Sequence, residues 1–284
     1  MTASPEFVAV GHVTHDLYGE AYVAGGCAYY GARTAAALGA RTGLVSVVGA
    51  DFRCDAALDG LELALERVGE TTIFINKYRD DGARIQRVRA QAGGLTTKGL
   101  PAAWRSPHVM FLAPVMGELD LATWRRAVSP RVLGIGVQGW IKEARADGAV
   151  VPKRWDVEQE LLRTVDAACI SEDDHTQQPD LLERLLSAVK IVAFTHGRAG
   201  CEVFVDGKPT RVGIYPTSEH DPTGAGDVFS SAFFLALGRG ATPVDAARLG
   251  AGAASVIVED RGGAAFPRMA EATARSRHVA VLED

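Results

Sequence analysis

Short apolar segments alternate with segments of helical spacing along most of this 284-residue chain. The first apolar segment, Phe7–Val10, is closed by a glycine, and so is the next one, Thr42–Val48. Residues 28–38 between them are rich in small helix formers. Short apolar runs of this kind are typical of strands buried on both faces, and strands that alternate with helices form a parallel sheet covered by helices. The chain therefore predicts a doubly wound α/β fold.

The same alternation continues toward the C-terminal end of the sequence. Further strands are predicted at 109–112, 132–137, 167–170 and 191–195, followed by an edge hairpin at 201–205 and 211–215. Helices are predicted at 56–68, 121–127, 158–165, 181–189 and 244–258.

One segment departs from this pattern. Between 71 and 90 the apolar residues recur at every second position around the turn Asp80-Asp81-Gly82, which predicts a hairpin. A hairpin cannot easily join a parallel sheet, so we expect it to stand over the strand ends as a small β flap. We expect residues 1–284 to form a single domain, with lid elements at about 12–22 and 71–90.

Composition excludes several classes of protein. Hydrophobic residues make up 47% of the chain and charged residues 23%, as in ordinary globular domains. The net charge of −5 argues against a nucleic-acid partner. The four cysteines form no Cys-x-x-Cys pair, and no apolar stretch approaches the roughly 20 residues that span a bilayer. Since a secretory signal is also missing, we expect a cytoplasmic protein with no nucleic-acid and no membrane partner.

The loop at 221–227, Asp-Pro-Thr-Gly-Ala-Gly-Asp, precedes an apolar run with the character of a helix. Gly224 and Gly226 remove side chains where the backbone must approach something closely, and the free N–H groups of the helix make an anion site. Asp227 is then a carboxylate able to accept a proton from a hydroxyl group during phosphoryl transfer. The loop predicts a kinase active site, with Asp227 as general base and the N–H groups of Gly224, Ala225 and Gly226 as the phosphoryl cradle. The alternative is a simple turn whose acid complements the helix dipole.

The pattern Asp-x-Thr-Gly-Ala-Gly-Asp resembles the C-terminal motif of the ribokinase/PfkB family of sugar kinases, and the resemblance extends over nearly the whole chain. It implies a ribokinase-like three-layer α/β/α fold, with a central mostly parallel sheet and a small β lid. It also implies ATP as the phosphoryl donor, Mg²⁺ as cofactor, and either a monomer or a homodimer. The resemblance makes Asp221 and Thr223 candidates to hold a monovalent cation such as K⁺; alternatively they only cap the turn.

The resemblance also implies nucleotide-binding and metal-binding roles for two further segments. Thr195 and Gly197 match a Thr-x-Gly that contacts the nucleotide phosphates, and Gly200 closes the same turn. Ser171 and Asp174 stand where the family carries Asn-x-x-Glu, near the metal and the phosphates. Asp174 and its neighbouring acids can serve Mg²⁺ through water molecules, or they can simply begin a helix. Both interpretations remain open.

Asp16 and the pair Gly25-Gly26 are the first candidates for binding the acceptor. Asp16 follows the first strand, at the carboxyl edge of the sheet where ligands bind in such folds. The resemblance implies that Asp16 bonds two acceptor hydroxyls and that the di-glycine backbone comes close to the sugar. Tyr30 replaces the usual Asn of the family, which argues against a ribose site.

Several motifs resemble the branch of the family that includes myo-inositol kinases, among them the di-glycine with its Tyr-Tyr pair and the segment Val-Gln-Gly-Trp at 137–140. Asn76, Arg84 and Gln138 are polar groups able to bond a hydroxyl-rich ring, unless they form a solvated sheet edge. We expect an ATP-dependent kinase of a small polyol or sugar, with a myo-inositol-like acceptor. The alternatives are a nucleoside kinase of the same family, with Tyr29 or Tyr30 stacked on the base, and a catalytically silent carbohydrate-binding sensor.

Overall fold

A computed structural model of the protein describes residues 4–78 and 84–282. In chain order the strands are β1 (Phe7–Val10), β2 (Thr14–Tyr18), β3 (Ala21–Gly25), β4 (Thr42–Val48), β5 (Glu62–Arg67), β6 (Thr72–Tyr78), β7 (Arg84–Ala90), β8 (Val109–Leu112), β9 (Val132–Gly136), β10 (Lys142–Ala144), β11 (Val150–Pro152), β12 (Ala167–Ser171), β13 (Ile191–Thr195), β14 (Cys201–Val205), β15 (Lys208–Val212) and β16 (Val281–Leu282). The helices are α1 (Cys27–Ala37), α2 (Leu121–Ala127), α3 (Gln159–Leu162), α4 (Glu172–Gln177), α5 (Asp180–Leu186), α6 (Ala225–Gly238), α7 (Pro243–Ile257) and α8 (Glu271–Ser276).

Ten strands form the central sheet, in the order β16-β15-β14-β13-β12-β9-β8-β1-β4-β5. Neighbours from β13 to β5 run parallel, whereas β14, β15 and β16 add an antiparallel edge. Every residue of β1, β4 and β8 is buried, since helices cover both faces of these strands. This sheet confirms the predicted α/β fold with a mostly parallel centre.

Two apolar clusters fill the two sides of the sheet. One contains Phe111 together with Phe233 and Phe234 of α6, and the other contains Met110 and Trp124. The alternation of side chains along β8 sends Phe111 to one side and Met110 to the other. Helix α6 packs against α1 and α7 on the first side. This packing fixes the N-terminus of α6 relative to the sheet.

The predicted helix at 56–68 is wrong. Asp55–Leu58 forms one short 3₁₀ turn, and the residues after it form β5, which pairs in parallel with β4. Gly60 between them has a φ of 83°, which interrupts a helix. The hairpin of β10 and β11 was also not predicted from the sequence.

A second sheet, with the order β3-β2-β6-β7, stands apart from the first. The hairpin predicted between 71 and 90 is present as β6 and β7, whereas its predicted turn at 80–82 lies outside the described residues. His12 connects the end of β1 to this lid, because its Nδ1 lies 3.0 Å from Thr72 Oγ1 and its Nε2 lies 2.8 Å from the carbonyl oxygen of Gly93. His12 therefore holds the lid in place.

Candidate active site

The N-terminus of α6 begins directly after Gly224, whose φ of 79° lies in the left-handed region. A Cβ at this position would lie 2.5 Å from two ring carbons of Tyr30. Gly226 differs, because it lies in the first turn of the helix and a Cβ there would meet nothing within 4 Å. Gly224 therefore lets the backbone pack closely against the Tyr30 ring. Gly226 instead leaves open space in front of the helix.

Asp221 fastens this loop to the body of the protein. One carboxylate oxygen accepts the backbone N–H of Thr223 at 3.0 Å, and the other accepts the backbone N–H of Gly262 at 3.3 Å. Asp221 and Thr223 are both buried. The loop is therefore held from two directions, which keeps the N–H groups of α6 fixed.

A cavity of about 380 Å³ opens on one side of this helix N-terminus. Its polar wall contains three predicted nucleotide-binding residues and two of the predicted phosphoryl cradle, namely Thr195, Gly197, Gly200, Ala225 and Gly226. Its opposite wall is largely apolar and includes Ile214, Tyr215, Phe229, Ala251, Ala254 and Val258. The cavity therefore joins an anion-binding helix terminus to an apolar slot.

Ser171 and Asp174 form the start of α4 rather than a wall of that cavity. Ser171 Oγ accepts the backbone N–H of Asp174 at 3.1 Å, and Asp174 Oδ2 accepts the backbone N–H of Ser171 at 3.0 Å. This is a capping box, the helix-start alternative considered for these acids. Asp174 Oδ1 is buried and has no hydrogen-bond partner within the described ranges. Across the same ranges, no group of three His, Cys, Asp or Glu side chains is arranged to hold a metal ion.

Asp227 lies in the first turn of α6. Burial, followed by the carboxylate of Asp227, raises the pKa of the Cys27 thiol. Burial, followed by the nearby carboxylate of Asp16, raises the pKa of Tyr30, and Asp227 adds to this effect. The two predicted carboxylates therefore both influence the pKa of Tyr30, although they come from opposite ends of the chain.

Asp16 lies directly over the di-glycine segment. A Cβ on Gly25 would lie 2.6 Å from the carboxylate carbon of Asp16, so only a glycine fits beneath it. Gly26 has a φ of 95° and precedes the first residue of α1. Asp16 Oδ1 also accepts the Thr14 hydroxyl at 3.1 Å. The di-glycine thus lets the carboxylate lie against the start of α1.

The remaining acceptor candidates lie on different elements. Gln138 Oε1 is 3.8 Å from the sulfur of Cys27, which places Gln138 beside the Asp227 side of the site. Asn76 lies on the lid, where its Oδ1 accepts the side-chain amide of Gln86 at 3.0 Å. The side chain of Arg84 lies outside the described part of the chain.

Sequence reasoning missed the structural role of Glu118. This buried carboxylate accepts the backbone N–H groups of His12 at 3.0 Å, Val115 at 2.8 Å and Met116 at 2.8 Å. It thereby ties the end of β1 to the loop after β8. An acid beside Gly117 in an otherwise apolar loop was the available signal.

Comparison with known proteins finds a family match over part of the chain. Residues 140–269 match the family model described as "pfkB family carbohydrate kinase". This part of the chain is therefore similar to a pfkB carbohydrate kinase domain. This confirms the resemblance inferred from the loop at 221–227, which lies inside the matched residues.

Two curated relatives and one solved structure extend this result. This chain is 38% identical over 91 residues to the inositol 3-kinase of Oryza sativa subsp. japonica, a match that covers 32% of this chain and only 23% of that relative. It is 29% identical over 269 residues to the cytidine kinase of Thermococcus kodakarensis, covering 86% of this chain and 93% of that one. A pyrophosphate-dependent kinase in the ribokinase family, complexed with a pyrophosphate analog and myo-inositol, shares the fold at a TM-score of 0.76, with 22% identity and coverage of 90% of this chain and 96% of that chain. Within the described residues, no helix is long and apolar enough to cross a membrane.

Proposed function

We propose that this chain is an ATP-dependent kinase that phosphorylates a hydroxyl group of a small polyol or sugar, with a myo-inositol-like acceptor favoured. The observation that carries the proposal is the position of the α6 N-terminus. Ala225 and Gly226 line the cavity, and Asp227 follows them in the first turn of the same helix. A phosphoryl group held by these N–H groups lies between a donor and a carboxylate base.

In the proposed reaction an acceptor hydroxyl oxygen attacks the terminal phosphorus of the donor. The bond between that phosphorus and ADP breaks, and the proton of the hydroxyl passes to Asp227. Such a positioned base contributes roughly 10² to 10⁴ in rate. The N–H groups at the start of α6 stabilise the charge that develops on the transferred phosphoryl oxygens.

The apolar wall of the cavity supports a nucleotide as the donor. A nucleobase can cover the side chains of Tyr215, Phe229 and Val258, whereas pyrophosphate has no apolar part that would bury them. The pyrophosphate-dependent relative shows that the fold also accepts the simpler donor. The choice between the two donors is therefore testable in the cavity itself.

The metal roles proposed here concern Asp174, Asp221 and Thr223. Mg²⁺ prefers oxygen ligands, keeps several waters, and neutralises phosphate charge when bound. The unpartnered buried oxygen of Asp174 suits a water-mediated contact of this kind. Asp221 and Thr223 offer oxygen atoms for K⁺ near the loop, although both oxygens of Asp221 already accept backbone N–H groups.

The acceptor pocket is proposed from Asp16, Gln138 and Asn76. Asp16 and Asn76 come from β2 and β6 of the lid, and Gln138 comes from the turn after β9, so together they offer hydrogen-bonding groups from separate elements. A ring with hydroxyls all around it can pair with such a set. A site built for hydroxyls rejects a ligand that leaves its polar groups unpaired.

A nucleoside kinase is the second candidate, supported by the similarity to the cytidine kinase. Its predicted stacking platform is less available than expected. Tyr29 and Tyr30 are both buried and pack against Phe266, with ring centroids 6.0 Å and 5.9 Å away. The presence of Asp227 as candidate general base, together with the phosphoryl cradle, argues against a catalytically silent sensor.

Steady-state kinetics over two donors and three acceptors tests the proposal. We expect ATP with myo-inositol to give the highest kcat/KM, at least about tenfold above ATP with ribose, and cytidine to be a poor acceptor. Highest activity with cytidine would instead support the nucleoside kinase. If no combination of donor and acceptor gives turnover, the proposal that this chain phosphorylates one of these acceptors is wrong.

One variant separates the donors. Ala254→Leu fills part of the apolar slot and should raise the KM for ATP by about tenfold or more, because a nucleobase then clashes with the new side chain. Pyrophosphate would not reach that wall. If the variant has the parent's KM for both ATP and pyrophosphate, the apolar slot does not bind a nucleobase.

A further inference from the structure

Arg275 lies behind the apolar wall of the donor cavity. It belongs to α8 and is only 8% exposed, although arginine is seldom buried unless it is paired. Its guanidinium carbon lies 5.0 Å from the centroid of the Tyr215 ring. Its Nη1 also donates to the carbonyl oxygen of Ser255 at 3.1 Å and to the Ser255 hydroxyl at 3.2 Å. Tyr215 and Ser255 both line the cavity, whereas Arg275 itself does not, so it reaches the cavity only through them.

Two carboxylates fix the guanidinium of Arg275. Its Nη1 and Nη2 donate to the two oxygens of Glu259 at 2.8 Å and 3.0 Å, and Nη2 donates to Glu271 at 2.6 Å. Such a bidentate pair sets the plane of the guanidinium as well as its position. Glu259 also accepts the hydroxyl of Thr217, a further residue of the cavity wall. The network therefore joins α8 and the end of α7 to the segment that carries Tyr215 and Thr217.

That segment needs partners from elsewhere in the fold. Tyr215 and Thr217 lie between β15 and α6, in a stretch that forms neither a helix nor a strand. Ser255, in contrast, is held by the backbone of α7. A guanidinium over an aromatic face is attracted by the ring, and the attraction is stronger where water is excluded. The contact between Arg275 and Tyr215 thus fixes a ring whose own backbone lacks a regular hydrogen-bonding pattern.

We propose that Arg275 is a positioning residue for the phosphoryl donor, whose guanidinium holds the Tyr215 ring in place as one wall of a nucleobase site. The proposal rests on the proposed function, in which this cavity binds ATP. Glu259 and Glu271 balance the charge of Arg275, and its contacts lie on the apolar wall rather than at the start of α6. Arg275 should therefore affect the binding of the base and not the binding of the phosphates.

Calorimetric titration with ATP and with tripolyphosphate, in the absence of an acceptor, separates these two contributions. We expect Arg275→Met to raise the Kd for ATP by about tenfold and to leave the Kd for tripolyphosphate within about twofold of the parent. Loss of a purely structural residue would weaken both ligands. Arg268→Met is the matched control, because Arg268 donates to the same two carboxylates, Glu259 at 2.7 Å and Glu271 at 2.9 Å. No hydrogen bond or cation–π contact joins Arg268 to Tyr215 or Ser255 in the described part of the chain, so this control should keep both parent Kd values.

A double-mutant cycle tests whether Arg275 acts through the ring. Tyr215→Leu alone should weaken ATP and spare tripolyphosphate. Adding Arg275→Met to it should change the Kd for ATP by less than about twofold, since the contact between the two side chains is already lost. If Arg275→Met does not fold, Arg275→Lys replaces it. Lysine keeps a cation for the two glutamates but lacks the planar group, and we expect the Kd for ATP alone to rise by about threefold or more.

Three results would overturn the proposal: a parent-like Kd for ATP in the Arg275 variant, an equal loss for ATP and tripolyphosphate, or additive losses in the cycle. A parent protein that binds tripolyphosphate as tightly as ATP would refute the nucleobase site, and this proposal with it. Failure of the proposed reaction has a different signature. It would appear as a parent protein that binds ATP but phosphorylates no acceptor, and the comparison of the two ligands would still decide the role of Arg275.

Discussion

Gly224 and Gly226 stand two positions apart in one loop, and alanine at each should have opposite effects on stability. In Gly224→Ala, a non-glycine residue must adopt a φ of 79°, which costs about 1–2 kcal/mol. The new Cβ would also lie 2.5 Å from the buried ring of Tyr30, and overpacking of this kind costs about 1–3 kcal/mol. We expect the free energy of unfolding to fall by about 2–5 kcal/mol.

In Gly226→Ala the new methyl group enters open space at the start of α6. Alanine in a helix is favoured over glycine by up to about 1 kcal/mol, so the free energy of unfolding should stay equal or rise slightly. Because Gly226 lines the donor cavity, the methyl group narrows the space for the phosphates. We therefore expect a folded protein with a raised donor KM and a lowered kcat.

Urea unfolding followed by tryptophan fluorescence gives the two stabilities, and steady-state kinetics gives the two activities. The reasoning fails if both variants lose the same stability, because the distinction between a strained and an open glycine would then be incorrect. It also fails if Gly226→Ala shows the donor KM and the kcat of the parent.

Three further predictions concern side chains. Asp227→Asn should lower kcat by about 100-fold or more while calorimetric binding of donor and acceptor changes little; a parent-like kcat would remove Asp227 from the mechanism. Asp16→Ala should lower kcat/KM for the acceptor by about tenfold or more with the donor KM unchanged, and unchanged acceptor kinetics would exclude the proposed contact. Hydrogen bonding to Arg275 holds the pKa of Glu259 at about 2, below its ordinary 4.5. The carboxylate therefore stabilises the fold above about pH 4.5 and loses this effect as the pH falls toward 2, so melting temperatures of Glu259→Gln should fall less between pH 6 and 3 than those of the parent.

The alternation of apolar and helical segments was sufficient to predict the parallel sheet from residues near one another in the chain. Strands such as Thr42–Val48 and Ile191–Thr195 are recognisable because an apolar run closed by a turn residue has few other stable conformations. The helix predicted at 56–68 is wrong for a different reason. Its apolar residues fit a helical spacing, and pairing with β4 decided the matter instead.

The loop at 221–227 likewise carried its main features in its own sequence. The helix after it, the carboxylate in its first turn and the glycine at a left-handed position are all local properties. The sequence could not tell which of the two glycines needs its conformation. That depends on the ring of Tyr30, which comes from a distant part of the chain.

Tertiary structure alone decided how the site residues meet. From the sequence alone, Asp174 could equally bind a metal ion or cap a helix. In the structure, one of its carboxylate oxygens belongs to the capping box of α4. Cys27 and Gln138 are far apart in the sequence, and the fold brings the Cys27 sulfur to 3.8 Å from Gln138 Oε1. Local patterns determine which elements form, because they depend on near neighbours. Side-chain partners depend on how those elements pack, which residues far apart in the chain determine together.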